Sequence, residues 1–220
     1  MGLGPTFLAN SCVGCHAQGG RGRTFDEPGA IAFQQLLRLS LPGEGPDGGP
    51  LPHPHYGDQL QVFGVNVGLK ENLKPGEAEL HIDWIPHPVT LPDGTVVELR
   101  KPSIRIEKPN FGPIENTVLT SLRNTQVVFG AGYLEAVTEE DILALAKMQQ
   151  SLGLNGRPNY VRDDINKRTS LGRFGWKANQ PSVKQQIAAA FHGDMGVTSS
   201  LYIEENCPPV QTACRAMPPG

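Results

Sequence analysis

Cys12-Val13-Gly14-Cys15-His16 constrains this chain more than any other stretch. C-x-x-C-H is the pattern by which c-type haem is attached to protein. Two thiols three positions apart can add across the porphyrin vinyl groups, and the adjoining imidazole can bind iron from the same turn of chain. Cys12 and Cys15 are therefore candidate attachment points for a covalently bound haem c, and His16 is the candidate proximal iron ligand. Two other chemistries use C-x-x-C. A redox dithiol wants a strand before it and a helix after it, whereas the flanks here are GLGPTFLANS and a Gly- and Arg-rich run. A zinc site wants a second ligand pair, and Cys207 and Cys214 are seven apart with no histidine among them.

Composition agrees with a chain that borrows part of its core. Only 38% of the 220 residues are hydrophobic, and there are 26 glycines and 20 prolines. That describes a loop-rich chain, one large or two small domains, in which buried haem would supply missing apolar volume. A net charge of -3 gives no basic field for nucleic acid. No apolar run approaches the roughly 18 residues a membrane helix needs, so no transmembrane segment is expected. Haem attachment to this motif takes place outside the bacterial cytoplasm, which makes the expected location periplasmic or otherwise exported. Cys207 and Cys214 fit such a compartment as a disulfide, with two free thiols as the alternative. Residues 1–9 have no charged or apolar signal-peptide region, so the export signal is expected upstream of this sequence.

Along the chain, Leu3, Phe7 and Leu8 fall at helical spacing and predict a short helix leading into the motif. Arg21 and Arg23 follow; they could meet haem propionates or form a solvated basic loop. Residues 41–56 read as an irregular Pro/Gly loop containing His53 and His55, which are either solvated or a second iron ligand. Residues 76–106 alternate apolar and polar side chains around Pro92-Asp93-Gly94, predicting an inserted β-hairpin or small sheet. Trp84 within it reads as packing before electron relay. Thr138 caps a predicted helix with Ile142, Leu143, Leu145 and Ala146 inward and Met148 filling core. Pro181 opens another, with Val183, Ile187, Ala188, Ala190 and Phe191 inward, ending at Gly193.

GLGPTFLANSCVGCH, GGRGR, YGDQLQ, GRFGWKANQPSVKQQIAAAFHGDMGVTS and ENC…C occur in this order from Gly2 to Cys214. Together they resemble the bacterial di-haem oxidoreductase family, which is related to the di-haem cytochrome c peroxidases and also labelled thiol oxidoreductases. The resemblance implies thioethers at Cys12 and Cys15, His16 as proximal ligand, and a second C-x-x-C-H in a further domain beyond residue 220. Relatives with an Asp/Gly-rich run before GRPN look suited to calcium. Here the stretch is Ser151-Leu152-Gly153-Leu154-Asn155-Gly156, with no carboxylate, so no calcium site is carried over. Met195 is the first candidate for a distal iron ligand, with core packing as its other reading and Tyr56 and His192 behind it. Phe174 and Trp176 are either haem packing or an aromatic relay.

The resulting expectation is a mainly α, cytochrome c-like haem domain with long irregular loops and an inserted hairpin. Its parts are a haem-attachment segment (1–40), a loop and β insertion (41–130), a helical part (131–206) and a Cys-containing tail (207–220). The implied function is electron transfer within a di-haem oxidoreductase acting as a peroxidase, partnered by a second haem domain or a redox protein. The alternative is a non-enzymatic electron-transfer cytochrome domain.

Overall fold

Short antiparallel strands, more than helices, organise the chain: 30% of the described residues are strand and 22% helix. The expected mainly α fold is therefore incorrect. The computed structural model describes residues 2–22, 35–46, 48–65 and 73–220. In chain order these hold β1 (Thr6–Phe7), α1 (Cys12–Cys15), a 3-10 turn (Ala17–Gly19), β2 (Gln35–Glu44), β3 (Pro50–Leu51), β4 (Phe63–Val65) and β5 (Leu73–Pro75). The long strands β6 (Glu79–Thr90) and β7 (Val96–Glu107) follow, then β8 (Leu119–Asn124), α2 (Ala131–Ala136) and α3 (Glu139–Ser151). The chain closes with β9 (Tyr160–Asp163), β10 (Arg168–Leu171), α4 (Val183–Met195) and α5 (Thr212–Arg215).

The strands form four small sheets, ordered β1-β4-β5, β3-β2-β8, β6-β7 and β9-β10. β2 shows why: Leu37 and Leu39 alternate with half-buried Leu36, Arg38 and Ser40, the period-2 pattern of a strand with one buried face. The same alternation in β6 buries Leu80 and Ile82. These four join Leu8, Tyr56, Leu60, Val62 and Ala78 in the core.

The predicted hairpin is present as β6–β7, paired from Glu79↔Glu107 to Thr90↔Val96. Gly94 sits in its turn at φ +87°, a left-handed conformation suited to glycine, and Asp93 Oδ1 accepts from Thr95 N at 2.9 Å. Arg100 lies 4.4 Å over the Trp84 ring, so that indole is occupied in packing.

Other expectations are corrected. The N-terminal approach to the motif is no helix, because Thr6 and Phe7 pair with Gly64 and Phe63 across β4. Residues 41–56 are not wholly irregular: β2 runs to Glu44 and pairs with β3 around a bulge. Thr138 does cap α3, its Oγ1 accepting from Asp141 N at 3.2 Å, yet α3 buries none of its residues. Met148 is exposed, not core. In α4 the buried residue is Gln185, while Ile187 and Phe191 are exposed. That helix also outruns Gly193 and ends at Met195, with Gly196 in the left-handed C-cap position at φ +63°. Cys207 and Cys214 form a disulfide.

Candidate functional site

The single turn of α1 sets Cys12 and Cys15 three residues apart, close to one another on the helix surface. Cys12 is exposed and Cys15 buried, and neither is in a disulfide. Burial pushes the Cys15 thiol up to about 11, with Asp194 and then Cys12 adding to the effect. A thiol so held stays protonated near neutrality, opposite to the low-pKa thiolate a redox dithiol uses. The Cys207–Cys214 bridge likewise withdraws the other two cysteines from any shared metal site.

His16 caps α1, its N–H donating to Cys12 O at 2.7 Å. Its Nδ1 lies 2.7 Å from the main-chain carbonyl of Gln126. A carbonyl only accepts, so Nδ1 carries the hydrogen and Nε2 keeps a lone pair for a metal. The carbonyl belongs to a stretch stitched along the motif: Gly22 N donates to Thr125 O, and Val128 N to Gly19 O. Asn124 Nδ2 donates to Gly22 O at 2.8 Å. Trp176 braces the other side, its Nε1 donating to Asn124 O at 2.7 Å. Here the chain exposes large apolar side chains: Val13 at 70%, Phe129 at 68%, Val128 at 48% and Val127 at 40%. A protein avoids leaving such a patch wet unless something apolar covers it.

The end of α4 reaches the motif from the opposite direction. Asp194 O accepts from Leu8 N at 2.8 Å and Ala9 N at 3.0 Å, and Met195 O from Gly4 N at 3.1 Å. Gly196 is held so close to β1 that a Cβ there would lie 2.6 Å from Thr6 O. Burial raises the Asp194 carboxyl above the usual range, opposed by a hydrogen bond from Gln59 and by the nearby Arg38 and His16, and Asp194 in turn helps to raise the Cys15 thiol.

A buried polar network fixes this end. Gln59 Nε2 donates to Asp194 Oδ1 at 2.8 Å and Gly193 O at 3.0 Å, and Gln61 Nε2 donates to Gly193 O at 2.8 Å. The Gln61 main-chain N–H donates to Glu77 Oε2 at 2.8 Å. Gln211, inside the disulfide loop, donates to Glu77 Oε1 at 2.5 Å and His55 O at 2.8 Å. Burial pushes the Glu77 carboxyl up to about 8 despite those donors. The side-chain oxygens of Gln59, Gln61 and Gln211 are buried without a hydrogen-bond partner, a polar cost unusual in a plain core.

Among the sequence-predicted residues, the structure thus gathers Cys12, Cys15, His16 and the Met195 end of α4. Met195 itself is half-buried. His53 is spent elsewhere, its Nδ1 accepting from His55 N and its Nε2 lying 3.4 Å from Glu115. Tyr56 donates to Gly112 O at 2.5 Å and accepts from Phe111 N. His192 Nε2 meets Glu204 O and its ring stacks on Tyr202. Phe174 is buried and Arg21 exposed; Arg23 lies outside the described residues. Sequence reasoning missed Gln126, whose role is a main-chain carbonyl and leaves no side-chain signal. It also missed Gln59, Gln61, Glu77, Asp194 and Gln211. The available signal was Gln-Leu-Gln in YGDQLQ, polar residues in a stretch where every residue from 59 to 62 is buried.

A motif turn presenting two thiols and a directed imidazole, with exposed apolar side chains in and near the motif, defines a candidate cofactor-carrying redox protein. The family model described as "di-haem oxidoreductase, putative peroxidase" matches residues 42–211, and the chain belongs to that family. The matched span contains the whole polar network and lies downstream of Cys12, Cys15 and His16. No curated protein and no solved structure matches the chain.

Proposed function

We propose that this chain carries one covalently attached haem c and serves electron transfer within a di-haem, peroxidase-type oxidoreductase of the exported compartment. The observation that carries the reading is the His16 ring, held by the Gln126 carbonyl with Nε2 left as the metal-binding nitrogen. The residues present fit the group. Each thiol adds its S–H across one vinyl C=C, so sulfur gains a carbon, the neighbouring carbon gains the hydrogen, and no oxidant is needed. Cys12 and Cys15, neither of them in a disulfide, meet that requirement. Val128 and Phe129, which lie beside Gly19 just past His16, and exposed Val13 within the motif are apolar surface that a bound ring would cover.

Bound haem supplies one-electron chemistry at iron. The chain's own contribution is orientation. The Gln126 carbonyl fixes the His16 tautomer, and such outer partners raise ligand basicity. Asn124, bonded to both Gly22 and Trp176, keeps that carbonyl in place. Met195 is the proposed distal ligand, and a second haem domain or redox protein is the proposed electron partner.

Export with haem-maturation factors, followed by pyridine haemochrome assay and intact-mass measurement, tests the reading. One haem mass per chain is expected, lost in Cys12→Ala/Cys15→Ala. An unmodified mass from maturation-competent cells refutes it. Peroxide then separates the enzyme from a simple relay: a ferric spectrum unmoved by peroxide in the chain joined to its partner domain favours the relay.

A further inference from the structure

The outward face of the β6–β7 hairpin carries a second cluster, separate from His16. Leu80 and Ile82 point to the core, so Glu79, His81 and Asp83 face the other way; across from them Ile104 and Ile106 pack inward and Arg105 and Glu107 outward. Glu79 stands directly opposite Glu107. Like charges in that register destabilise a hairpin unless positive charge lies between them. His81 Nε2 is 3.4 Å from Glu79 Oε2 and 3.9 Å from Glu107 Oε2. One donor atom from each of the three residues lies within 4.8 Å of the others.

The remaining carboxylate oxygens are anchored from outside. Lys108 Nζ holds Glu79 Oε1 at 2.8 Å, and Arg105 holds Glu107 Oε1 while its Nε donates to Asp83 at 3.0 Å. Each glutamate therefore has one oxygen fixed by a cation and the other turned toward His81. Outer partners of that kind orient carboxylate ligands at metal sites.

We propose that Glu79, His81 and Glu107 bind a borderline divalent transition metal, with Zn2+ as the type case. Imidazole among the donors favours such an ion over Ca2+ or Mg2+, which prefer oxygen alone. Tetrahedral bonds of about 2.0–2.2 Å place neighbouring donors roughly 3.3–3.6 Å apart. The Glu79–His81 spacing of 3.4 Å already meets this, and a small rotation of half-exposed Glu107 closes the 3.9 Å gap. Three protein ligands leave a fourth position for water. The ion would tie the two strands at the hairpin base, and an isolated two-stranded ribbon is marginal in water. Its distal half is exposed, with Ile85, Val96 and Leu99 all in solvent.

The test uses the full-length, haem-loaded chain, because unloaded Cys12, Cys15 and His16 could hold zinc themselves. Equilibrium dialysis against micromolar Zn2+, read by elemental mass spectrometry, should find one zinc per chain. His81→Ala should weaken retention by more than the roughly 10- to 100-fold typical of losing an outer-sphere partner, and Glu79→Gln should weaken it too. Zn2+ should raise the thermal midpoint of the native chain but not of His81→Ala, with circular dichroism confirming that the variant is folded. Absence of retained zinc, retention indifferent to His81→Ala or His81→Gln, or displacement by millimolar Ca2+ would each overturn the proposal. The first of these would leave the cluster as a histidine between two glutamates with no metal role.

Discussion

Glu77 offers a stability measurement with a fixed sign. Its carboxyl is buried, accepts from the Gln61 main chain and the Gln211 amide, and is pushed from 4.5 up to about 8 by desolvation. The folded state therefore binds its proton more tightly than the unfolded chain does. Stability from this group is fully present below 4.5 and drains as pH rises toward about 8, beyond which little is left to lose. Within that window the slope approaches about 1.4 kcal/mol per pH unit. From roughly pH 5 to roughly pH 8 the loss comes to about 3 to 4 kcal/mol. Urea unfolding at intervals across the range, native against Glu77→Gln, isolates the effect. The neutral amide costs about 1 kcal/mol at low pH, since its NH2 must face one of two donors, but it has no proton to lose. The two stabilities should therefore converge and cross as pH rises. Asp194 and Glu205 are also raised by burial and add slope of the same sign to both proteins, so the difference between them is the informative quantity. Parallel pH profiles for the two proteins would refute the reasoning.

Three further outcomes are expected. Reducing Cys207–Cys214 should lower stability by about 2 to 3 kcal/mol by the loop-entropy argument, measured as a shift in urea midpoint with and without reductant; an unchanged midpoint contradicts it. Gly196→Ala should cost about 2 kcal/mol or more, because it places a Cβ against Thr6 O at a positive φ, and a thermal midpoint equal to the native one counts against the close contact. In the haem-loaded chain, Met195→Ala should abolish the near-infrared sulfur-to-iron charge-transfer band and lower the reduction potential; retention of both removes Met195 from the coordination sphere.

Legibility in the sequence divided along physical lines. The hairpin could be read because β6 alternates over a buried face and Pro92-Asp93-Gly94 supplies turn chemistry. The helix cap at Thr138 could be read because capping is local, whereas the reading that ended α4 at Gly193 fell short of its Gly196 cap. Which helix faces are buried was not legible. The apolar residues of α3 satisfy helical periodicity, yet that pattern names no partner, and none of them is fully buried. The short strand β1 was hidden for a related reason: Leu3, Phe7 and Leu8 fit a helix, while long-range pairing with β4 took Thr6 and Phe7. At the candidate site, covalent chemistry was visible in Cys12, Cys15 and His16. The carbonyl of Gln126, separated from His16 by 110 positions, was not. Nor was the role of Gln59 and Gln61, whose partners at Gly193 and Asp194 lie more than 130 positions away.

The concealment of Cys15 carries a temporal consequence. The thiol is buried and feels Asp194 at the tip of α4; residues 4–9 are laced to that tip, which two glutamines grip in turn. On the proposed haem-bearing reading, a rigid, plate-like molecule would reach this sulfur more readily before that lacing closes than after it. Attachment would then belong to the folding pathway, with the plate fastened to a loose N-terminal strand first and the glutamines closing the door behind it.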